Sequence, residues 1–225
     1  FVNNAPADGY TLLYGAENPQ LHQVLAIADF GYEKFYPVNV LGRGVAVVVV
    51  KSDAPWTSVK DFVEDAKKRP GKLKMGSTGP GGLPHTVGSM LNSITKFQVI
   101  AVPFDGEGPG MTALMGGHVD IIVSTIADTL HMVKGGSLKV LGLAAPERNK
   151  FAPNAVTFKE LGYDIEFSTY WSYLAPKGTP KDRLNLLFSA FKKATETKEV
   201  QEFYDMQGVT PSFKSPAELA EYYKK

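Results

Sequence analysis

The stretch Lys74-Met75-Gly76-Ser77-Thr78-Gly79-Pro80-Gly81-Gly82-Leu83-Pro84-His85 carries four glycines, two hydroxyls, an imidazole and no acid. A strand-like run enters it and an amphipathic helical pattern leaves it. A loop of this kind aims bare backbone N–H groups and a helix N-terminus at an anion. Its candidate contacts are Ser77, Thr78, Gly79, Gly82 and His85. A second glycine-rich loop, Val102-Pro103-Phe104-Asp105-Gly106-Glu107-Gly108-Pro109, follows the next strand-like run and offers Phe104, Asp105 and Gly106. Ser124 and Thr125 end another strand and make a third donor group. Open α/β sheets take their ligands at the carboxyl ends of strands. A carboxylate or phosphate suits such a surface, since each hydrogen bond to an ionised partner contributes roughly 1.5–3 kcal/mol.

Other chemistry fits less well. A glycine-rich turn with no ligand is the plain alternative. No Lys-Ser/Thr pair follows the first loop, so it is no nucleoside triphosphate loop. Gly79-Pro80-Gly81-Gly82 also lacks dinucleotide spacing. Ser77 with His85 invites a hydrolase reading, but there is no nucleophile-elbow motif and no acid obviously placed to orient the imidazole. His85 stays open between ligand donor, general base and structural histidine. His22, His118 and His131 show no metal-ligand spacing, so neither metal nor cofactor is expected. Asp105 and Glu107 are read as solvated, or one of them as partner to a ligand ammonium. Trp171, beside Tyr170, is either a cleft wall or a core aromatic. Asn18 either touches ligand or serves the turn before Pro19.

The elements that position these residues alternate between strand and helix. Tyr10–Tyr14, Val38–Leu41, Val45–Lys51, Leu73–Gly76, Phe97–Val102, Val119–Ser124 and Leu138–Ala144 read as strands. Ile165–Phe167 and Tyr170–Leu174 are strand-like. Val59, Phe62, Val63 and Ala66 share one helical face behind a Thr57 or Ser58 cap. Val87, Met90, Leu91 and Ile94 form the inward face of a helix beginning at Pro84, where a missing N–H costs nothing. Short helices are expected at Pro19–Ala26, Met111–Met115, Ala127–Lys134 and Thr157–Leu161. The C-terminal part is helical, with Ser215-Pro216-Ala217-Glu218 as a capping box. The expected class is α/β with a mostly parallel sheet.

The 225 residues are 44% hydrophobic and 21% charged, enough for one large domain or two small ones. Net charge is +1 with no basic stripe, which argues against nucleic acid as partner. The absence of cysteine excludes disulfide and thiol chemistry. Val45–Val50, the longest apolar run, is far too short to span a bilayer. The chain opens in mid-pattern without an initiator Met, so residues are expected upstream.

The order of motifs resembles a known family. Ala7-Asp8-Gly9-Tyr10-Thr11-Leu12-Leu13 and Asn18-Pro19 come first. Val47–Val50 and Arg69-Pro70-Gly71-Lys72-Leu73 follow. Then come Gly76-Ser77-Thr78-Gly79 with His85, and Val102-Pro103-Phe104-Asp105-Gly106. Gly116-Gly117-His118-Val119-Asp120, Arg148, Phe158–Gly162, Trp171 and Ala175–Pro180 complete the pattern. It is similar to the Bug-type periplasmic solute-binding proteins, the receptor subunits of tripartite tricarboxylate transporters, over essentially the whole chain.

The resemblance implies a two-lobed type II binding-protein fold, each lobe a mostly parallel sheet flanked by helices. Lobe one would take residues 1–51 and 171–225, lacking the family's first strand, loop and helix; lobe two would take 52–170. It implies a periplasmic receptor, not an enzyme, that closes on a small organic carboxylate between its lobes and hands it to membrane permease subunits. A monomer is expected. The first-loop residues and His85 would meet the ligand carboxylate, Phe104, Asp105 and Gly106 would form the second ligand loop, and Asn18 would face the cleft. Tyrosine and often lysine are usual in the family where Phe104 and Asp105 stand here. That difference points away from a simple dicarboxylate, toward an aromatic acid or a ligand bearing an ammonium, such as an amino acid. A hydrolase and a sensory binding module are the competing functions.

Overall fold

The computed structural model describes residues 1–15, 23–24, 26, 28–79, 81–215 and 218. Asn18 and the expected Pro19–Ala26 helix fall largely or wholly outside them. The chain divides into two units, Phe1–Gly44 with Thr169–Lys225, and Val45–Ser168.

The second unit is a three-layer α/β/α assembly. Its sheet uses the C-terminal half of β2 (Phe35–Lys51), with β3 (Lys74–Ser77), β4 (Ile100–Pro103), β5 (Ile121–Thr125) and β6 (Leu138–Leu143). The order is β4-β3-β5-β2-β6. β3 runs parallel to both β4 and β5, while β2 runs antiparallel to β5 and β6. The valine run explains why β2 lies in the middle. Ala46, Val48 and Val50 pack on one face, and Val45, Val47 and Val49 on the other, all almost fully buried. A strand buried on both faces reads as a continuous apolar run.

The first face is covered by α1 (Val59–Lys68) and α2 (Leu83–Thr95), the second by α3 (Glu107–Met115) and α4 (Ile126–Lys134). Ser58 caps α1 in a reciprocal box with Asp61, and Val59, Phe62, Val63 and Ala66 are its buried face. Met90 and Ile94 of α2 are less enclosed than the periodicity suggests: Ile94 is 48% exposed.

In the first unit β1 (Leu13–Gly15) pairs antiparallel with β7 (Ser168–Pro176), and β8 (Thr210–Lys214) pairs antiparallel with β2. These registered pairs are antiparallel, and the sheet of Val45–Ser168 is mixed, parallel at β3–β4 and β3–β5 and antiparallel at β2–β5 and β2–β6, so the mostly parallel sheet expected of each lobe gives way to a mixed one, because β2 enters that sheet against the direction of β5 and β6. α5 (Lys181–Thr195) and α6 (Lys198–Gln207) complete the unit. Tyr204 anchors α6, its hydroxyl donating to the Leu41 carbonyl at 3.1 Å. Ser215 and Glu218 exchange the reciprocal bonds of the expected capping box.

Three local expectations change. Val38–Leu41 and Val45–Lys51 form one seventeen-residue strand, because Gly42 and Arg43 stay extended against β8. Thr157–Leu161 is a turn: Thr157 and Glu160 exchange bonds as a helix start would, but Tyr163 N–H returns to the Phe158 carbonyl and closes it. Ile165–Phe167 is no strand, although Phe167 N–H still bonds the Ala144 carbonyl at 2.8 Å.

Candidate functional site

Because β3, β4 and β5 point the same way, their carboxyl ends share one edge of the sheet. β3 leads into α2 on one face, and β5 leads into α4 on the other. Adjacent strands whose following helices part to opposite faces leave a crevice at their tips, the usual place for a ligand in an open α/β sheet.

Ser77, at the tip of β3, is buried, and its hydroxyl donates to the Thr78 carbonyl at 2.9 Å. Gly82 N–H bonds the Gly79 carbonyl at 3.0 Å, closing the turn into α2. Gly82 is the N-cap of α2 and supplies no side-chain cap. A Cβ there would lie 1.8 Å from Thr78 Oγ1, so only glycine lets the Thr78 hydroxyl sit against the helix start. In the first turn Pro84 has no N–H, so the donors that Gly82 leaves without a side-chain cap are the Leu83 and His85 N–H groups, and the helix end adds partial positive charge. His85, exposed in that turn, accepts from Gly81 N–H through Nδ1 at 3.4 Å. That leaves Nε2 as the N–H donor of the neutral ring.

The second loop is tied to the first. Phe104 N–H donates to the Ser77 carbonyl at 2.8 Å, extending the β3–β4 ladder by one bond. The Phe104 ring lies over Gly76 and Gly110, 3.5 and 3.4 Å from where their Cβ atoms would be. Gly106 adopts φ +102° and caps α3, a conformation that L side chains rarely take. Asp105 is exposed.

The third tip is used differently. Ser124 is buried and donates to Glu107 Oε2 at 3.2 Å. Thr125 is the N-cap of α4 and accepts from Asp128 N–H at 3.2 Å, so its hydroxyl is engaged in the fold. The sequence context makes Glu107 either solvated or a partner to a ligand ammonium. Burial and the neighbouring Asp128 instead push its carboxyl up to about 7, against a smaller opposing effect from the Ser124 bond. The sequence pattern begins this helix at Met111, whereas it starts at Glu107, so both the acid's place in a first turn and its neighbour Asp128 on α4 come from the fold.

Ser77, Thr78, Phe104, Gly106 and Glu107 thus line one cavity of about 10 Å³, the size of a single water. Gly79, Gly82 and His85 adjoin it along the chain. Thr125 is turned to capping. Trp171 is half-buried in β7 of the other unit, its ring beside Gly42. Ser77 and His85 are not paired as nucleophile and base: the hydroxyl donates to the Thr78 carbonyl, and Nδ1 accepts from Gly81.

Residues 1–224 match the family described as the tripartite tricarboxylate transporter family receptor, TctC. The chain belongs to this family. Protein BugT of Bordetella pertussis is 28% identical to it over 215 residues, covering 93% of this chain and 66% of BugT. The chain thus spans about two thirds of the length of that relative. Among solved structures, a TctC solute-binding protein from Polaromonas superposes with a TM-score of 0.79 at 26% identity, covering 96% of this chain and 74% of its own. MatC from Rhodopseudomonas palustris, with bound malate, superposes with a TM-score of 0.88 at 24% identity, covering 99% and 78%. The α/β fold of the Polaromonas TctC solute-binding protein is the fold of this chain. Among the described residues, no helix is long and apolar enough to cross a membrane.

Proposed function

We propose that this chain is the periplasmic receptor of a tripartite tricarboxylate transporter, capturing a small organic carboxylate and passing it unchanged to membrane permease subunits. The observation that carries the reading is the glycine-capped N-terminus of α2 at the β3–β5 crevice, with Ser77, Thr78, Gly79 and His85 around it. Backbone donors and a helix end bind an anion with no chemistry of their own. Several such bonds, less the cost of ordering, support about micromolar affinity. The malate held by MatC fits a carboxylate ligand. Phe104 and Asp105 direct the choice toward an aromatic acid or a ligand bearing an ammonium, such as an amino acid. The units Val45–Ser168 and Phe1–Gly44 with Thr169–Lys225 are proposed as the receptor's two lobes.

The test is a thermal-shift and calorimetric panel of mono-, di- and tricarboxylates and amino acids against the intact protein. A ligand that binds only the folded state raises Tm with concentration. At least one carboxylate is expected to do so and to be recovered chemically unaltered. A panel with no shift and no heat sinks the receptor reading. Turnover of a carboxylic ester that vanished in Ser77→Ala would replace it with the hydrolase.

A further inference from the structure

Glu107 stands between two hollows. On one side it lines the water-sized cavity of about 10 Å³ that it shares with Ser77, Thr78, Phe104 and Gly106. On the other it lines a depression of about 510 Å³ with Asp128, Thr112 and Met115. Those three residues are exposed, so the depression is open to solvent. A proton thus has a route to the Glu107 carboxyl that does not pass the loop tips.

The surroundings leave a charge on that carboxyl uncompensated. From β5, the Ser124 hydroxyl donates to Oε2 at 3.2 Å. From α4, Asp128 adds a second acid. The tip of β3 and the loops beside it present Ser77, Thr78 and Phe104, which are neutral. Asp105, two residues back, is a further acid and is exposed. Among the described residues lining either hollow there is no cation. Burial and Asp128 together hold the carboxyl at about 7 instead of 4.5. An anion bound at the start of α2 would place another negative charge across the small cavity. A like charge there favours the protonated acid still further.

We propose that Glu107 takes up a proton when a carboxylate binds at the α2 N-terminus, so that anion and proton are captured together. The inference rests on the carboxylate receptor proposed above. The proton comes from solvent and becomes the carboxyl O–H. Glu107 acts through its charge: ionised it repels the ligand, protonated it does not. Binding that takes up a proton weakens as pH rises through the titration of the free protein. A ligand ammonium beside Glu107 has the opposite sign. It favours the carboxylate, releases a proton and binds more tightly at high pH.

Calorimetry with benzoate, phenylacetate and butyrate tests it, since each carries one negative charge above about pH 6. Affinity is expected to fall roughly five-fold or more between about pH 6 and pH 8.5. Titrations at about pH 7.5 in HEPES and in Tris, buffers of different ionisation heat, are expected to show uptake of about half a proton per ligand. Histidine also changes charge in this range, and His85 lies in the first turn of α2, so two variants separate the groups. Glu107→Gln is expected to lose most of the pH slope and the proton uptake. His85→Gln is expected to bind more weakly at every pH and to keep both. Three results overturn the proposal and leave the receptor standing: a wild type with flat affinity and no proton exchange, a slope lost in His85→Gln but kept in Glu107→Gln, or affinity that rises with pH as a proton is released. Failure of all three acids at every pH also removes it; if the wider carboxylate panel fails too, the receptor goes with it.

Discussion

Ser124 Oγ donates to Glu107 Oε2 at 3.2 Å, joining the tip of β5 to the first turn of α3. On its other side Glu107 meets Asp128 of α4. Of the two carboxyls Glu107 is the more enclosed, and burial beside Asp128 pushes its carboxyl up to about 7. Among the described residues, the groups facing it are the neutral Ser124 from β5 and the acidic Asp128 from α4.

Stability should therefore fall as pH rises. Glu107 titrates near 7 in the folded chain and near its ordinary 4.5 when unfolded. Below 4.5 both states carry the proton and the native state has its full contribution. Between 4.5 and 7 the unfolded state releases the proton first, and the contribution is lost as pH passes the folded value. Glu107→Gln keeps a donor for Asp128 and an acceptor for Ser124 without the charge. It should flatten the pH dependence and raise stability at pH 8 by about 1–3 kcal/mol, after discounting for partial exposure. At ~2–4 °C per kcal/mol for a chain of this size, melting curves from pH 4 to 8 will show it. A wild type whose Tm is flat across that range would contradict the assignment.

His85→Ala should weaken carboxylate binding by about 1–3 kcal/mol through loss of the Nε2 donor. Its Tm without ligand should hardly move, since His85 is exposed. Calorimetry with whichever carboxylate the panel returns reads the effect; an unchanged Kd would return His85 to a structural role at Gly81.

Gly76→Ala should destabilise the β3–β5 contact. The new methyl would meet Ile122 Cγ1 at 2.7 Å and Cδ1 at 2.9 Å, beneath the Phe104 ring. Overpacking of this kind costs about 1–3 kcal/mol. Chemical denaturation should show a lower midpoint with an unchanged slope. An unshifted midpoint would mean that Ile122 yields without cost.

Thr125→Ala removes the N-cap of α4 and should cost about 1 kcal/mol. Thr125→Ser keeps the hydroxyl and should restore most of it. If carboxylate affinity falls in both variants in proportion to stability, Thr125 acts through the fold; loss of affinity in the alanine variant at unchanged stability would instead make it a direct contact.

Much of the architecture was legible because it rests on local patterns. The spacing of Val59, Phe62, Val63 and Ala66 is a helical face in any context, and the Val45–Val50 run is buried wherever it lies. Gly82 before Leu83-Pro84 marks an uncapped helix start, and that start is where the candidate site stands. The Thr157–Leu161 turn was misread because its first bonds are those of a helix, and only the return of Tyr163 to Phe158 ends it.

By itself, the sequence determined the alternation of strand and helix, the bare-backbone loops at Gly76–Gly82 and Phe104–Gly108, and the family, since hydrophobic period and glycine placement act over a few residues. Only the tertiary structure decided that β5 lies beside β3, that Glu107 sits between Ser124 and Asp128, and that Gly88 of α2 packs against Met75 of β3. Those are relations between residues up to dozens of positions apart. Burial and the charge state of a carboxyl depend on which distant groups displace its water, and no local pattern encodes that.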